Sequence, residues 1–195
     1  MIRLYVGGRS GNSHKVALFL SILGLTHETV DVPYGPEMRT PEFLAKNPRG
    51  QVPVLEVDGK CVWDSGAILV YLARAYGGER WLPTDPSGMA EVMQWMALAQ
   101  NEIYFGLQWA RGVFVYGKKG DLAEYQMQGR KALDMLERQL KDHDWLALER
   151  PTIADIACYP YTKRAPEGEV SLGPYPAVQA WLARCEAIPG WVKLD

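Results

Sequence analysis

Over roughly the first eighty positions, apolar residues come in short runs that switch between strand and helix spacing. Ile2-Arg3-Leu4-Tyr5-Val6 reads as a strand. From Ser13 to Leu23, Val16, Phe19, Leu20 and Leu23 fall at i, i+3, i+4 and i+7, and Gly24 stops the helix. Glu28 to Val32 reads as a second strand and Pro41 to Ala45 as a short helix. Val52 to Val57 is a β-branched strand, Asp58-Gly59 suits a type I′ turn, and Lys60 to Trp63 completes a hairpin. A helix to Tyr76 follows, with Ile68, Tyr71, Leu72 and Ala75 on one face. The pattern then lengthens into helices over about Ser87 to Tyr116, Leu122 to Lys141, Thr152 to Tyr161 and Pro176 to Ala187, with no convincing strand among them.

The first part therefore reads β-α-β-α-β-β-α. A right-handed crossover makes its first two strands parallel, and the hairpin adds an antiparallel pair. This is an α/β thioredoxin-like N-terminal domain followed by an all-α helical C-terminal domain. The expected boundaries are 1–78 for the first domain, 79–87 for a linker carrying Leu82-Pro83-Thr84-Asp85-Pro86, and 88–195 for the helical domain. Neither internal repeats nor low-complexity segments occur, so solenoid architectures are excluded.

Composition narrows the partners. The 195 residues are 48% hydrophobic, enough for a core, and 21 basic against 23 acidic side chains leave a net charge of −2. Without a basic block, nucleic acid and anionic membrane are disfavoured as partners. No stretch approaches twenty uninterrupted apolar residues, and the N-terminus has no signal-like core, so a cytoplasmic protein is expected. Cys61, Cys158 and Cys185 are odd in number and far apart, which argues against a disulfide framework, a zinc site or a dithiol centre. Any thiol chemistry then needs a borrowed thiol.

The segment Asn47 to Ser65 carries the most specific chemistry, reading as a site for a small peptide. Pro53 cannot donate a ladder hydrogen bond, so that end of its strand sits at an edge or bends. With a cis Val52-Pro53 bond, the Val52 N–H and C=O would face an extended ligand that pairs as an added strand. Asp64-Ser65 stands at a helix start, where free N–H groups and the helix dipole favour a carboxylate and the aspartate can hold an ammonium group. One amino-acid terminus would satisfy both, although Asp64-Ser65 alone is equally ordinary capping.

The proline strand, hairpin and acid-plus-cap, in this order, resemble the glutathione-binding half of the glutathione S-transferase family. The resemblance extends through Leu4-Tyr5, Ser10-Gly-Asn-Ser-x-Lys-Val16, Gln51-Val-Pro53 and Pro151-Thr-Ile-Ala-Asp155, nearly the whole chain. It implies reduced glutathione as co-substrate, a homodimer, and attack of its thiolate on a small hydrophobic electrophile. It leaves room for a glutathione-dependent disulfide reductase or peroxidase, or for a non-catalytic binding protein. The apolar side chains of Ser87 to Tyr116 exceed what one helical domain needs, which also points to a homodimer.

The loop Gly7 to Ser13 would place the glutathione sulfur over the first helix's N-terminus, where N–H groups and a hydroxyl favour thiolate over thiol. Lowering a thiol from a pKa of about 8.5 by two units, about 2.7 kcal/mol, makes the thiolate dominant at pH 7 without a general base. By resemblance Ser10 matches the catalytic serine of serine-type classes. Ser13, Asn12 and Tyr5 remain alternatives, helix capping is the bland reading of the loop residues, and the family's cysteine-type nucleophile is absent. Gln51 resembles a residue that contacts the glycine end of glutathione, and Arg39 a basic residue that reaches its carboxylate. Arg39, Lys46 and Arg49 otherwise read as solvated charges.

For the electrophile pocket, Tyr104 and Trp109 are expected as wall, with Arg111 either attracting an anionic group or marking an exposed helix end. Of Trp95, Tyr104, Phe105, Trp109, Phe114 and Tyr116, most are expected in the core. His14, His27 and His143 are scattered and take no role. Thr152 with Asp155 is a capping box, structural in nature. Trp181, Trp191 and the short tail Val192-Lys-Leu-Asp195 predict that no long lid covers the pocket.

Overall fold

The structure, a computed structural model, describes residues 1–193, so the end of the predicted tail, Leu194 and Asp195, lies outside the described residues. The chain divides into two compact units, Met1–Gly77 together with the chain from Pro189, and Gly78–Ile188.

In the first unit, β1 (Ile2–Val6) leads to α1 (Gly11–Ile22), β2 (Glu28–Asp31), a 3-10 turn at Pro36–Arg39, α2 (Pro41–Lys46), β3 (Val54–Val57), β4 (Lys60–Trp63) and α3 (Ser65–Leu72). The sheet order is β2-β1-β3-β4, with β1 parallel to β2 and antiparallel to β3, and β3 antiparallel to β4. Asp58 and Gly59 both take positive φ, as the I′ turn demands.

Two expectations change. The ladder of β3 starts at Val54, opposite Tyr5 and Trp63, and β3 is an inner strand. Pro53 is accommodated by standing before the ladder, and the Val52-Pro53 bond is cis. The apolar face of α3 is Ile68, Leu69, Leu72 and Ala73, while Ala75 is exposed. The reason is a π-helical turn at Ala73–Gly77, which rotates the register.

The second unit holds α4 (Pro86–Gln100), a π-helical segment at Ile103–Gln108, α5 (Trp109–Tyr116), α6 (Leu122–Asp142), α7 (Ile153–Lys163), a 3-10 turn at Ala165–Gly168 and α8 (Pro176–Glu186). The single helix expected from Ser87 to Tyr116 is thus three pieces. Asn101, at φ −107° and ψ −96°, interrupts it, and the π segment carries the chain into α5. That segment crosses α6 backbone to backbone: a Cβ on Gly106 would lie 2.6 Å from Gly129 Cα. Only glycine permits this approach.

The capping box is formed in full. Thr152 N donates to Asp155 Oδ2 at 2.9 Å and Ala154 N to Thr152 Oγ1 at 3.2 Å. Asp155 Oδ1 also accepts from Leu146 N and from the Trp181 indole, which ties α7 to α8. Burial pushes the Asp155 carboxyl up to about 6, against the opposing pull of these bonds.

Candidate functional site

The first unit gathers the β1–α1 loop, the Asn47 to Pro53 segment and the start of α3. At Gly7 the loop meets the second of these: a Cβ there would touch Val52 Cγ2 at 3.0 Å, besides Val32 O at 3.1 Å and Met38 Cε at 3.2 Å. The loop therefore rests on Val52, whose side chain belongs to a cluster with Tyr5, Val32, Met38, Phe43 and Val54.

Ser10 is the N-cap of α1, and its Oγ accepts from Ser13 N at 3.2 Å. An N-cap hydroxyl that accepts still has its own proton to donate. Next to it, Asn12 Oδ1 and Ser13 Oγ are buried without a hydrogen-bond partner, although Ser13 is only 4% exposed. Such orphans in a helix's first turn leave bonding capacity that a water or a ligand atom can meet. Tyr5 is placed otherwise. Its hydroxyl donates to Glu56 Oε2 at 2.8 Å, and Lys46 Nζ donates to the same oxygen at 2.9 Å. These two bonds, Lys46 first, hold the Glu56 carboxyl below its ordinary range.

Asp64 is the N-cap of α3, and Ser65 its first residue. Asp64 Oδ1 accepts from Gly66 N at 2.9 Å and Ala67 N at 3.3 Å, and its φ of +73° is rare outside glycine. Arg49 Nη1 lies 3.3 Å from Asp64 Oδ2. Asn47, 2% exposed, accepts from Arg49 N and donates to Gln51 O at 2.6 Å, which shapes the turn into Val52. Arg39 Nη1 folds back onto Arg49 O at 3.2 Å. Ser65, Val52 and Pro53 are buried, while Gln51 and Arg39 are exposed.

Sequence reading misjudged one of the basic residues: Lys46 is half-buried and tied into the Glu56 pair, whereas Arg49 is exposed and also faces Asp64. It also missed Asn47, and Tyr34, whose hydroxyl donates to Gly7 O at 3.1 Å. A buried asparagine just before Pro48-Arg-Gly, a turn sequence, was the available signal for the first. Nothing in the pattern marked Tyr34.

In the second unit, the expectation that the aromatic run is mainly core fails. Trp95, Tyr104 and Trp109 are half-buried, and Phe105, Phe114 and Tyr116 are exposed. The core positions of that stretch go to Val92, Met96, Leu98, Ala99, Ile103, Leu107 and Ala110. Tyr104 packs edge-on against Tyr161 and Phe105, and Trp109 stacks between Phe105 and Tyr125 with Lys118 Nζ 4.6 Å from its ring. Arg111 is no exposed helix end. It is 1% exposed, with Nε donating to Glu167 Oε2 at 2.7 Å and Nη1 to Tyr116 Oη at 3.3 Å. Burial pulls its guanidinium down, but these two bonds outweigh it and leave the group above its ordinary value, fully cationic.

Residues 1–74 match the family of the glutathione S-transferase N-terminal domain, and residues 87–189 that of the C-terminal domain. The chain belongs to the glutathione S-transferase family, whose members use glutathione as substrate. A glutathione S-transferase from Pseudomonas fluorescens superposes with a TM-score of 0.92 at 38% identity, over 99% of this chain and 98% of that one. Among curated relatives, the disulfide-bond oxidoreductase YfcG of Escherichia coli is 30% identical over 97% of this chain and 92% of its own length. A maleylacetoacetate isomerase of Rhizobium meliloti is 31% identical over 97% and 93%. Among the described residues, no helix is long and apolar enough to cross a membrane.

Proposed function

We propose that this protein is a cytoplasmic, homodimeric glutathione transferase that holds glutathione as thiolate and delivers the sulfur to a hydrophobic electrophile. The observation that carries the reading is the first turn of α1, where the Ser10 hydroxyl caps the helix yet retains a proton to donate. A sulfur seated there also meets the first N–H groups of the helix, which lack intrahelical acceptors. Ser13 Oγ and Asn12, buried beside it, are the alternative donors. Val52 and Gln51 contact the peptide, Ser65 N–H at the start of α3 takes its carboxylate, Asp64 Oδ2 its ammonium group, and Arg39 the glycine end.

A second reading, glutathione-dependent disulfide reduction, is favoured by the likeness to a relative named as a disulfide-bond oxidoreductase over nearly the full chain. The test is a thiolate absorbance titration of bound glutathione, run beside its dissociation constant and beside turnover of an aryl halide and of a mixed disulfide. Ser10→Ala raises the titration midpoint while affinity changes little, and rate falls more than affinity. A midpoint unmoved in Ser10→Ala but raised in Ser13→Ala or Tyr5→Phe overturns the assignment of the hydroxyl. Turnover of the disulfide alone favours the second reading, and no binding of glutathione by the wild type removes both.

A further inference from the structure

The carbonyl oxygen of Gly7, where β1 gives way to the loop before α1, is held from two sides. Ser10 N donates to it at 3.1 Å, which closes the turn from Gly7 to Ser10, and the Tyr34 hydroxyl donates to the same oxygen at 3.1 Å. A carbonyl oxygen has two lone pairs, so both bonds form together. Tyr34 lies in the connection between β2 and the 3-10 turn, and its ring covers the turn as well: a Cβ on Gly8, whose φ is +38°, would lie 3.3 Å from Tyr34 Cε2. Packing does not explain this tyrosine. At 52% exposed it adds little to a core, and water could satisfy its hydroxyl as well as Gly7 does.

The turn has reason to need an outside tie, because Gly7-Gly8 carries no side chain to limit its backbone and has the most conformational freedom to lose. What it fixes is the direction of Ser10. Ser10 stands at φ −71° and ψ 117°, its carbonyl accepting from His14 N at 3.0 Å and its Oγ from Ser13 N at 3.2 Å. A rotation of the peptide planes between Gly7 and Ser10 would swing the hydroxyl off the axis of α1. We propose that Tyr34 is a positioning residue: by tying Gly7 O it holds the turn that aims the Ser10 hydroxyl, and through Ser10 it favours the thiolate of bound glutathione. The step to the thiolate rests on the transferase reading, whereas the tie itself does not.

Two measurements separate these. Without ligand, amide hydrogen exchange at Ser10 is followed by NMR in the wild type, Tyr34→Phe and Thr40→Ala. Phenylalanine keeps the ring over Gly8 and removes only the donor; Thr40→Ala removes the N-cap of α2 and lowers stability by a similar amount without touching the turn. Exchange at Ser10 speeds up about three- to tenfold in Tyr34→Phe, the size of one neutral hydrogen bond, and not in Thr40→Ala. Unchanged exchange in Tyr34→Phe, or equal acceleration in Thr40→Ala, overturns the tie. The thiolate of bound glutathione is then titrated by absorbance in the wild type, Tyr34→Phe, Ser10→Ala and the double variant. Tyr34→Phe raises the midpoint, the ionisation constant falling about three- to tenfold, and kcat drops while KM for glutathione changes little, a split that a general loss of structure would not give. In the Ser10→Ala background the same change does nothing further. A midpoint unmoved by Tyr34→Phe overturns its role in the reaction, and so do shifts that add, since Tyr34 would then act on the sulfur without Ser10. If the wild type binds no glutathione while Ser10 exchange responds to Tyr34→Phe as stated, the transferase reading fails and the tie stands.

Discussion

Two polar clusters, one in each unit, are made of different material. In the first unit, the groups proposed to face a ligand are backbone turns and helix caps: Ser10 caps α1, Asp64 caps α3, and Asn47 pins the turn before Val52. Each depends on four or five consecutive residues, so each tolerates change elsewhere. In the second unit, Gln108 and Arg111 are long side chains whose direction depends on the register of a π segment, and that register depends on contacts with α6. Local chemistry specifies the first cluster, and packing specifies the second.

If that contrast holds, the largest effect comes from the contact between the π segment and α6. Gly106→Val forces a side chain into the Gly129 backbone and should cost about 3 kcal/mol, read by urea unfolding, because backbone cannot give way as a flexible side chain does. A loss below about 1 kcal/mol would show that the register does not depend on that approach.

The next effect lies in the capping box of the same unit. The Asp155 carboxyl is raised from 3.8 to about 6 by burial, so the folded protein holds its proton more tightly than the unfolded chain does. The sign follows: this contribution is fully present below about pH 4 and is lost as pH rises through about 6, on the order of 3 kcal/mol. Relative to Asp155→Asn, wild-type stability should fall across that window, and parallel pH curves for the two proteins would contradict it.

Asp64→Ala sharpens the comparison from the other side, since in the proposed function one residue serves both the cap and the ligand. Glutathione affinity should drop roughly ten- to a hundredfold, about 1.5–3 kcal/mol, by calorimetry. Stability should fall by about 1 kcal/mol, the worth of an N-cap, with the positive φ no better tolerated by alanine than by aspartate. Ser65→Ala should weaken binding with less effect on stability. Smallest is Arg49→Ala: its ion pair with Asp64 is half-exposed, and removing it should cost about 0.5 kcal/mol or less. A larger loss of glutathione affinity there would make Arg49 a ligand contact.

The same contrast explains what could be read from the chain. The strand and helix order, the I′ turn at Asp58-Gly59 and the Thr152 capping box are properties of neighbouring residues, and each is where the pattern puts it. The helix starts at Ser10 and Asp64 were legible for the same reason. The break at Asn101 and the two π turns were not, because spacing at i, i+3 and i+4 cannot distinguish a continuous helix from one that gains a residue in a turn. Hence Ala75 was assigned to the wrong face, the aromatic run to the core and Arg111 to a possible exposed end. Arg49 and Lys46 look alike in sequence; only the fold brings them to Asp64 and Glu56.

The π turn at Ile103–Gln108 also bears on how such a protein changes over generations. A turn of this kind holds one residue more than its α-helical equivalent, so loss of a single codon there would let the helix wind regularly while the residues beyond it keep their face. Substitution alters a site one contact at a time. Here one deletion would re-space the side chains of that turn in a single step, leaving the α1 and α3 caps untouched.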